Sequence, residues 1–271
     1  MSPPRQKRAG HWYQFSLRTL FLFMLLAAIS LAFVANPLIR IRNQRALIAE
    51  IQQSKSLHEI TFADDRENKR STPLPGPWLA RKILGEDAFR EVVRIHFSDS
   101  VVSERVYRRM TDLPALEGVY ITGGTLSVVE ADYLARIPKL NSLSLETHVS
   151  SGGLVRLSVA KSLKDLNIYD RSFGDDGLKG IGGLTNLERI DLYHTAVTGN
   201  GIAELGKITA LRHLDLGLCS RIEDVDLHWI LSLNNLEYLR LEETQVGDRA
   251  LESIKGHRTL RRAAGGNLPV D

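Results

Sequence analysis

One cysteine, Cys219, stands in 271 residues, so the chain can close no disulfide on itself and has no thiolate set for a zinc site. Disulfide-free chains of this kind suit the cytosol and a bacterial periplasm alike. Charge of one sign is also scarce. The 35 Lys and Arg face 32 Asp and Glu, a net charge of +3, and the basic residues are dispersed. That excludes the clustered basic face by which nucleic acid is held. Phosphate-cradling loops are missing too: Gly123-Gly124 and Gly182-Gly183 are isolated pairs without a P-loop lysine or GxGxxG spacing, and they read as turns. No serine or cysteine sits in a recognisable nucleophile motif. Hydrophobic content of 43% and charged content of 25% are those of an ordinary folded domain.

One long hydrophobic run is present. From Thr19 to Ile39 the chain reads TLFLFMLLAAISLAFVANPLI, 21 residues with no charge. As helix this is about 31 Å, enough for a hydrocarbon core of roughly 30 Å. Trp12, Tyr13 and Phe15 precede it, where an aromatic belt lies. Arg5, Lys7, Arg8 and Arg18 flank one end and Arg40, Arg42 and Arg45 the other. A buried soluble helix is disfavoured, because the run is apolar all round instead of striped. A cleaved signal peptide is the stronger rival, but the run exceeds a typical signal core and shows no clear A-x-A site. The expectation is an uncleaved single-pass anchor at 19–39 after a basic tail at 1–18. The charge flanks nearly tie, so the short tail decides the orientation and places the larger C-terminal part on the extracytoplasmic side.

The rest of the chain is periodic. Leu-x-x-Leu-x-Leu and close variants begin at Leu116, Leu140, Leu163, Leu187, Leu211, Leu236 and, decayed, Leu260. A period of 23 to 25 residues means stacked units, not one globular core. A second pattern runs in phase. Val149, Phe173, Val197, Ile222 and Val246 are followed two residues later by Ser151, Asp175, Gly199, Asp224 and Asp248, then by Leu154, Leu178, Ile202, Leu227 and Leu251. In the unit at Leu187, strand alternation turns Ile190 and Leu192 inward and Arg189, Asp191 and Tyr193 outward. Val197 returns to the core, and Ile202, Leu205 and Ile208 pack beneath on a short helix. Ser151, Asp175, Asp224 and Asp248 match helix N-caps, with Gly199 the departure.

These units resemble leucine-rich repeats. The unit at Leu211, Leu-Arg-His-Leu-Asp-Leu-Gly-Leu-Cys219-Ser-Arg-Ile-Glu-Asp224, looks like the cysteine-containing subclass, with Thr195 and Thr244 at the cysteine position elsewhere. The resemblance covers about residues 93 to 265. It implies an α/β solenoid, with parallel strands on a concave face and short helices on a convex one. The layout also resembles membrane proteins of planctomycetes, in which a Trp-Tyr-Gln-Phe-Ser-Leu-Arg-Thr-Leu start, here Trp12 to Leu20, leads into a membrane helix and then leucine-rich repeats. That likeness implies a bacterial envelope protein and brings no activity with it.

Between anchor and repeats, 40–77 reads as a juxtamembrane helix, a short strand at Leu57–Phe62 and a charged, Pro- and Gly-rich linker from 63. Segment 78–115 reads as the N-terminal part of the solenoid, with an amphipathic helix from Trp78 to Phe89 and a strand through Val93, Ile95 and Phe97. The whole stretch 57–115 serves to cap the first repeat, which a solenoid requires. The repeats occupy 116–265 and a tail 266–271.

Cys219 reads as a buried turn residue, not a nucleophile. Gly174-Asp-Asp-Gly177 lacks the alternating oxygens of a calcium loop. His213 with Asp191 and Asp215 is the best polar constellation, a weak metal or acid–base candidate. The outward positions as a whole run Tyr120, Thr122; Ser144, Glu146; Asn167, Tyr169; Arg189, Asp191, Tyr193; His213, Asp215; Tyr238, Arg240, Glu242. Tyrosine and arginine dominate interface hot spots. The expected function is therefore protein binding through Asn167, Tyr169, Arg189, Asp191, Tyr193, His213, Asp215, Tyr238 and Arg240, with no catalysis, cofactor or metal. The alternatives are lateral assembly as a structural envelope protein, or a weak site at Asp191/His213/Asp215. Signalling is disfavoured, since only about 18 residues precede the anchor.

Overall fold

The computed structural model describes residues 17–53, 57–63, 82, 90–98, 102–150, 152–254, 257, 259–260 and 262–264. Trp12, Tyr13 and Phe15, the linker at 64–77, the helix at Trp78–Phe89 (residue 82 apart), Ser151 and the tail 266–271 lie outside them. The chain divides into two compact units, Met1–Asn43 and Gln44–Asp271.

Helix α1 (Leu17–Gln53) is continuous through Pro37. In the first unit it carries exposed apolar side chains, among them Phe21 at 72% and Phe23 at 74%. Among the described residues no helix is long and apolar enough to cross a membrane. The middle of the expected span, 27–38, lies outside the residues whose side chains are described.

The second unit is a solenoid. Its sheet, among the described residues, runs in sequence order through β1 (Leu57–Phe62), β2 (Val92–Phe97), β3 (Gly118–Leu126), β4 (Ser142–Val149), β5 (Asp165–Ile168), β6 (Arg189–Asp191), β7 (His213–Asp215), β8 (Tyr238–Arg240) and β9 (Arg262–Ala264). β1 is antiparallel to β2 and every later pair is parallel. The register steps by one repeat, so Leu143, Leu166, Ile190, Leu214 and Leu239 form one row. All five are fully buried. Each contributes about 1.5–3 kcal/mol by leaving water. Returning segments lie opposite the sheet: α2 (Glu104–Met110), α3 (Val128–Ala135), α4 (Gly153–Leu157), α5 (Asp175–Leu178), α6 (Gly199–Ile202) and α7 (Asp248–Ile254), with 3-10 turns at Ile181–Gly183, Ala203–Lys207 and Asp224–Ser232. Val197, Ile202, Leu205 and Ile208 are buried there, as the pattern requires.

The first repeat would expose its apolar end without cover. Leu47 and Ile51, on the last turns of α1, are buried in the same core as Ile95 and Phe97. Glu50 fixes that segment through Arg109 at 2.5 Å and Arg105 at 3.1 Å. The end of α1 and β1 therefore close the solenoid together with residues 90–98 and 102–115.

Two sequence expectations need correcting. Asp175 and Asp224 are not N-caps; they are the first residues of their helical segments, and the caps are Gly174 and Glu223. Asp175 reaches instead into the next repeat, accepting from Thr198 N at 2.8 Å and Thr198 Oγ1 at 2.6 Å. Asp224 likewise accepts from Gly247 N at 2.6 Å. These carboxylates staple one repeat to the next. Glycine follows from this at Gly201, where a Cβ would collide with the Asp175 carboxylate. The second correction concerns Gly123 and Gly124. They lie inside β3 with φ of 71° and 74°, where the register shifts between Thr122 and Thr125. This is a β-bulge, a strand irregularity that glycine accommodates without a Cβ penalty.

Candidate binding surface on the strand face

Outward residues of the short strands fall into rows. One runs Tyr120, Ser144, Asn167, Asp191, Asp215, Arg240; another runs Ser142, Asp165, Arg189, His213, Tyr238. Neighbours in a row are one strand apart, about 4.8 Å. After each of β6, β7 and β8 the chain turns through a left-handed residue that is not glycine: His194, Leu218 and Glu243, with φ of 61°, 60° and 57°. The turn then places Thr195, Cys219 and Thr244 inward. Thr195 Oγ1 donates to Leu192 O at 2.8 Å and Thr244 Oγ1 to Leu241 O at 2.7 Å. Cys219 Sγ donates to Leu192 O across the repeat at 3.1 Å. Burial pushes the thiol up, so it stays protonated and inert at neutral pH.

On the outer side the aromatic and charged groups hold one another. Tyr169 Oη donates to Asp191 Oδ2 at 2.7 Å, and Asp191 Oδ1 accepts from Tyr193 N at 2.9 Å. Asp215 repeats the motif with Gly217 N at 2.8 Å, and its Oδ2 takes an Arg240 N–H at 3.2 Å. Arg240 also binds Glu242 at 2.6 Å, and its guanidinium lies 5.0 Å from the centre of the Tyr193 ring. Gly217 leaves room for that ring, which a Cβ would meet at 3.1 Å. His213 stacks flat on Tyr238, with ring centres 4.1 Å apart and planes 6° apart. Arg189 reaches Asp165 at 3.6 Å, and Asn167 is half-buried between Ser144 and Asp191.

This arrangement is a parallel-strand solenoid whose buried rows are mostly leucine and isoleucine. No protein-family model matches the chain, and no curated protein does. Among solved structures, internalin C2 from Listeria monocytogenes is similar at 17% identity and a TM-score of 0.45, over 66% of this chain and 81% of that one. The plant peptide hormone receptor RGFR1, in complex with RGF2, is similar at 18% identity and a TM-score of 0.43, over 65% of this chain and 27% of that one. Both likenesses are distant; the register of the strands carries the fold.

The electrostatics follow from the geometry. Burial and the charge of Asp215 push the Asp191 carboxyl up against the pull of its two donors. Burial, then repulsion from Arg189, lowers His213, so its ring is neutral where it stacks. Burial and the bond to Asp191 raise Tyr169. Asp191, His213 and Asp215 lie near enough to feel one another's charge, but their described contacts go elsewhere: His213 stacks on Tyr238, Asp191 accepts from Tyr169 and Tyr193, and Asp215 accepts from Gly217 and Arg240. Among the described residues no group of three His, Cys, Asp or Glu side chains could hold a metal ion.

One constellation escaped the sequence reading. His148 Nδ1 lies 3.2 Å from Asp170 Oδ2 and 3.0 Å from Ser172 Oγ. Its members look like a hydrolytic triad, but serine and aspartate share one ring nitrogen, whereas such a triad needs them on opposite nitrogens. It joins two repeats. The signal was present in the spacing of His148 and Ser172, one repeat apart.

Proposed function

We propose that the chain is a single-pass, membrane-anchored leucine-rich-repeat module that binds a protein partner through its strand face, without catalysis. The observation that carries this reading is the ordering of Tyr169, Tyr193, His213 and Tyr238 by Asp191, Arg240 and mutual stacking. Rigid aromatic groups lose little conformational freedom on binding, so more of the contact energy is realised as affinity. Anchoring is supported by the uncharged run Thr19–Ile39, the continuity of α1 and the exposed apolar side chains from Leu20 to Leu26. In this reading the repeat domain lies on the extracytoplasmic side of the cell membrane. Two kinds of residue make up the surface. Tyr169, Tyr193, His213 and Tyr238 offer contact area, while Arg189, Asp165, Asp215 and Arg240 are largely spent on fixing it.

The test is a cross-linking pull-down from native membranes, comparing wild type with a folded Tyr193→Ala, Tyr238→Ala, Arg240→Ala variant. A partner captured by the first and lost by the second supports strand-face recognition. An identical catch from both moves the assignment to a second reading, lateral assembly. That reading is favoured by one observation, the exposed valines Val129, Val155, Val159 and Val225 on the returning segments.

A further inference from the structure

Taking the strand face as the binding surface, its charge selects the partner. The outward positions from β3 to Glu242 carry five carboxylates, Glu146, Asp165, Asp191, Asp215 and Glu242, against two guanidinium groups, Arg189 and Arg240. The face is thus acidic on a chain whose net charge is +3. Three of the carboxylates already have a cation: Asp165 has Arg189, and Asp215 and Glu242 share Arg240. Glu146 is exposed to solvent. Asp191 differs from all of these. It is half-buried, and no described cation lies within ion-pair distance of it.

The repeat shows what Asp191 lacks. One strand further along, Asp215 makes the same backbone bond and, at the same register on the next strand, finds Arg240. Asp191 at that register finds Asp215, a second anion, and on its other side neutral Asn167. Each Asp191 oxygen has one donor, from Tyr169 or Tyr193, and keeps a free lone pair. The Tyr193 ring already carries a guanidinium over one face, so the chemistry of this surface includes a cation beside tyrosine.

We infer that Asp191 seats an arginine or lysine side chain of the partner, from a cationic segment laid across the strand face beside Tyr169 and Tyr193. A cation there is held by one half-buried carboxylate and relieves the repulsion between two. The inference rests on strand-face binding and adds the identity of the group bound.

The test uses the full chain in lipid nanodiscs, panned against a random twelve-residue displayed peptide library. The selected peptides are then measured on wild type, Asp191→Asn, and Tyr238→Ala. Asparagine keeps the size and the acceptor for Tyr193 N, so the fold survives. The expected result is a consensus with one invariant Arg or Lys, whose change to Gln costs tenfold or more in affinity on wild type. On Asp191→Asn the same change should cost less than twofold. A consensus without a cation, an equal loss on both proteins, or a library that yields no binder overturns the seat. The strand-face reading is scored separately. Peptides lost on Tyr238→Ala but indifferent to Asp191 leave it standing, and peptides indifferent to both variants remove it as well.

Discussion

Replacing Asp175 by alanine separates an inter-repeat staple from a local helix cap. The carboxylate takes two hydrogen bonds from Thr198, one from the backbone and one from the hydroxyl. Bonds to a charged acceptor contribute about 1.5–3 kcal/mol each when desolvated. This pair is only part-buried, so the combined loss in Asp175→Ala is about 2 kcal/mol. Thr198→Val removes the hydroxyl alone and should cost about 1 kcal/mol. Once Asp175 is gone, that hydroxyl has lost its partner and its removal should cost little. The double variant should therefore lose about 2 kcal/mol, giving a coupling of about 1 kcal/mol. Urea unfolding of the full chain in detergent micelles measures it from the midpoints, provided the slope m is unchanged. If Asp175 served only the start of its own helix, as its sequence position suggests, the losses would add to within about 0.5 kcal/mol. Additivity would refute the staple.

Other outcomes follow from the same geometry. Gly201→Ala, a change that normally favours helix, should destabilise by more than about 1 kcal/mol, because its Cβ displaces the Asp175 carboxylate; a gain in urea midpoint would contradict this. Ile190→Ala, in a fully buried row, should cost about 2–5 kcal/mol, read from the same curves. The thiol of Cys219, buried and with its ionisation pushed up, should resist a thiol reagent at pH 8 until the chain unfolds; labelling within mixing time would sink the burial argument. Folded His213 resists protonation relative to the unfolded chain, so its contribution to stability is complete above an unfolded value of about 6.5 and is lost as pH falls through the lower folded value. His213→Phe keeps the stack on Tyr238 and should remove that part of the acid sensitivity, as melting at pH 5 and pH 8 will show.

The sequence made the solenoid legible because its signal is repeated. Ile190 and Leu192 point inward by alternation alone, and the same alternation recurs in unit after unit. Cys219 reads as buried from its turn position in the repeat. What could not be read was where a polar side chain turns once its neighbours exist. Asp175 suits a cap chemically, yet the N–H it takes lies one repeat away, and only the stacking distance decides between them. Arg240 reads as a contact residue until Asp215, Glu242 and the Tyr193 ring are seen to hold it. The histidine of the supposed metal site goes to Tyr238 because the strand register sets those two rings side by side. The left-handed turn residues His194, Leu218 and Glu243 carry no glycine and so give no signal at all. Gly123 and Gly124 did give one, and the two long strands around them make it a bulge instead of a turn.

The central claim is that recognition happens on the strand face. A photo-cross-linking amino acid placed at Tyr238 on that face, and in a second protein at Val159 on the returning side, tests it in intact cells. The account predicts one discrete adduct with another protein from position 238 and none from position 159. Adducts from 159 alone, or only between copies of the chain, would contradict it.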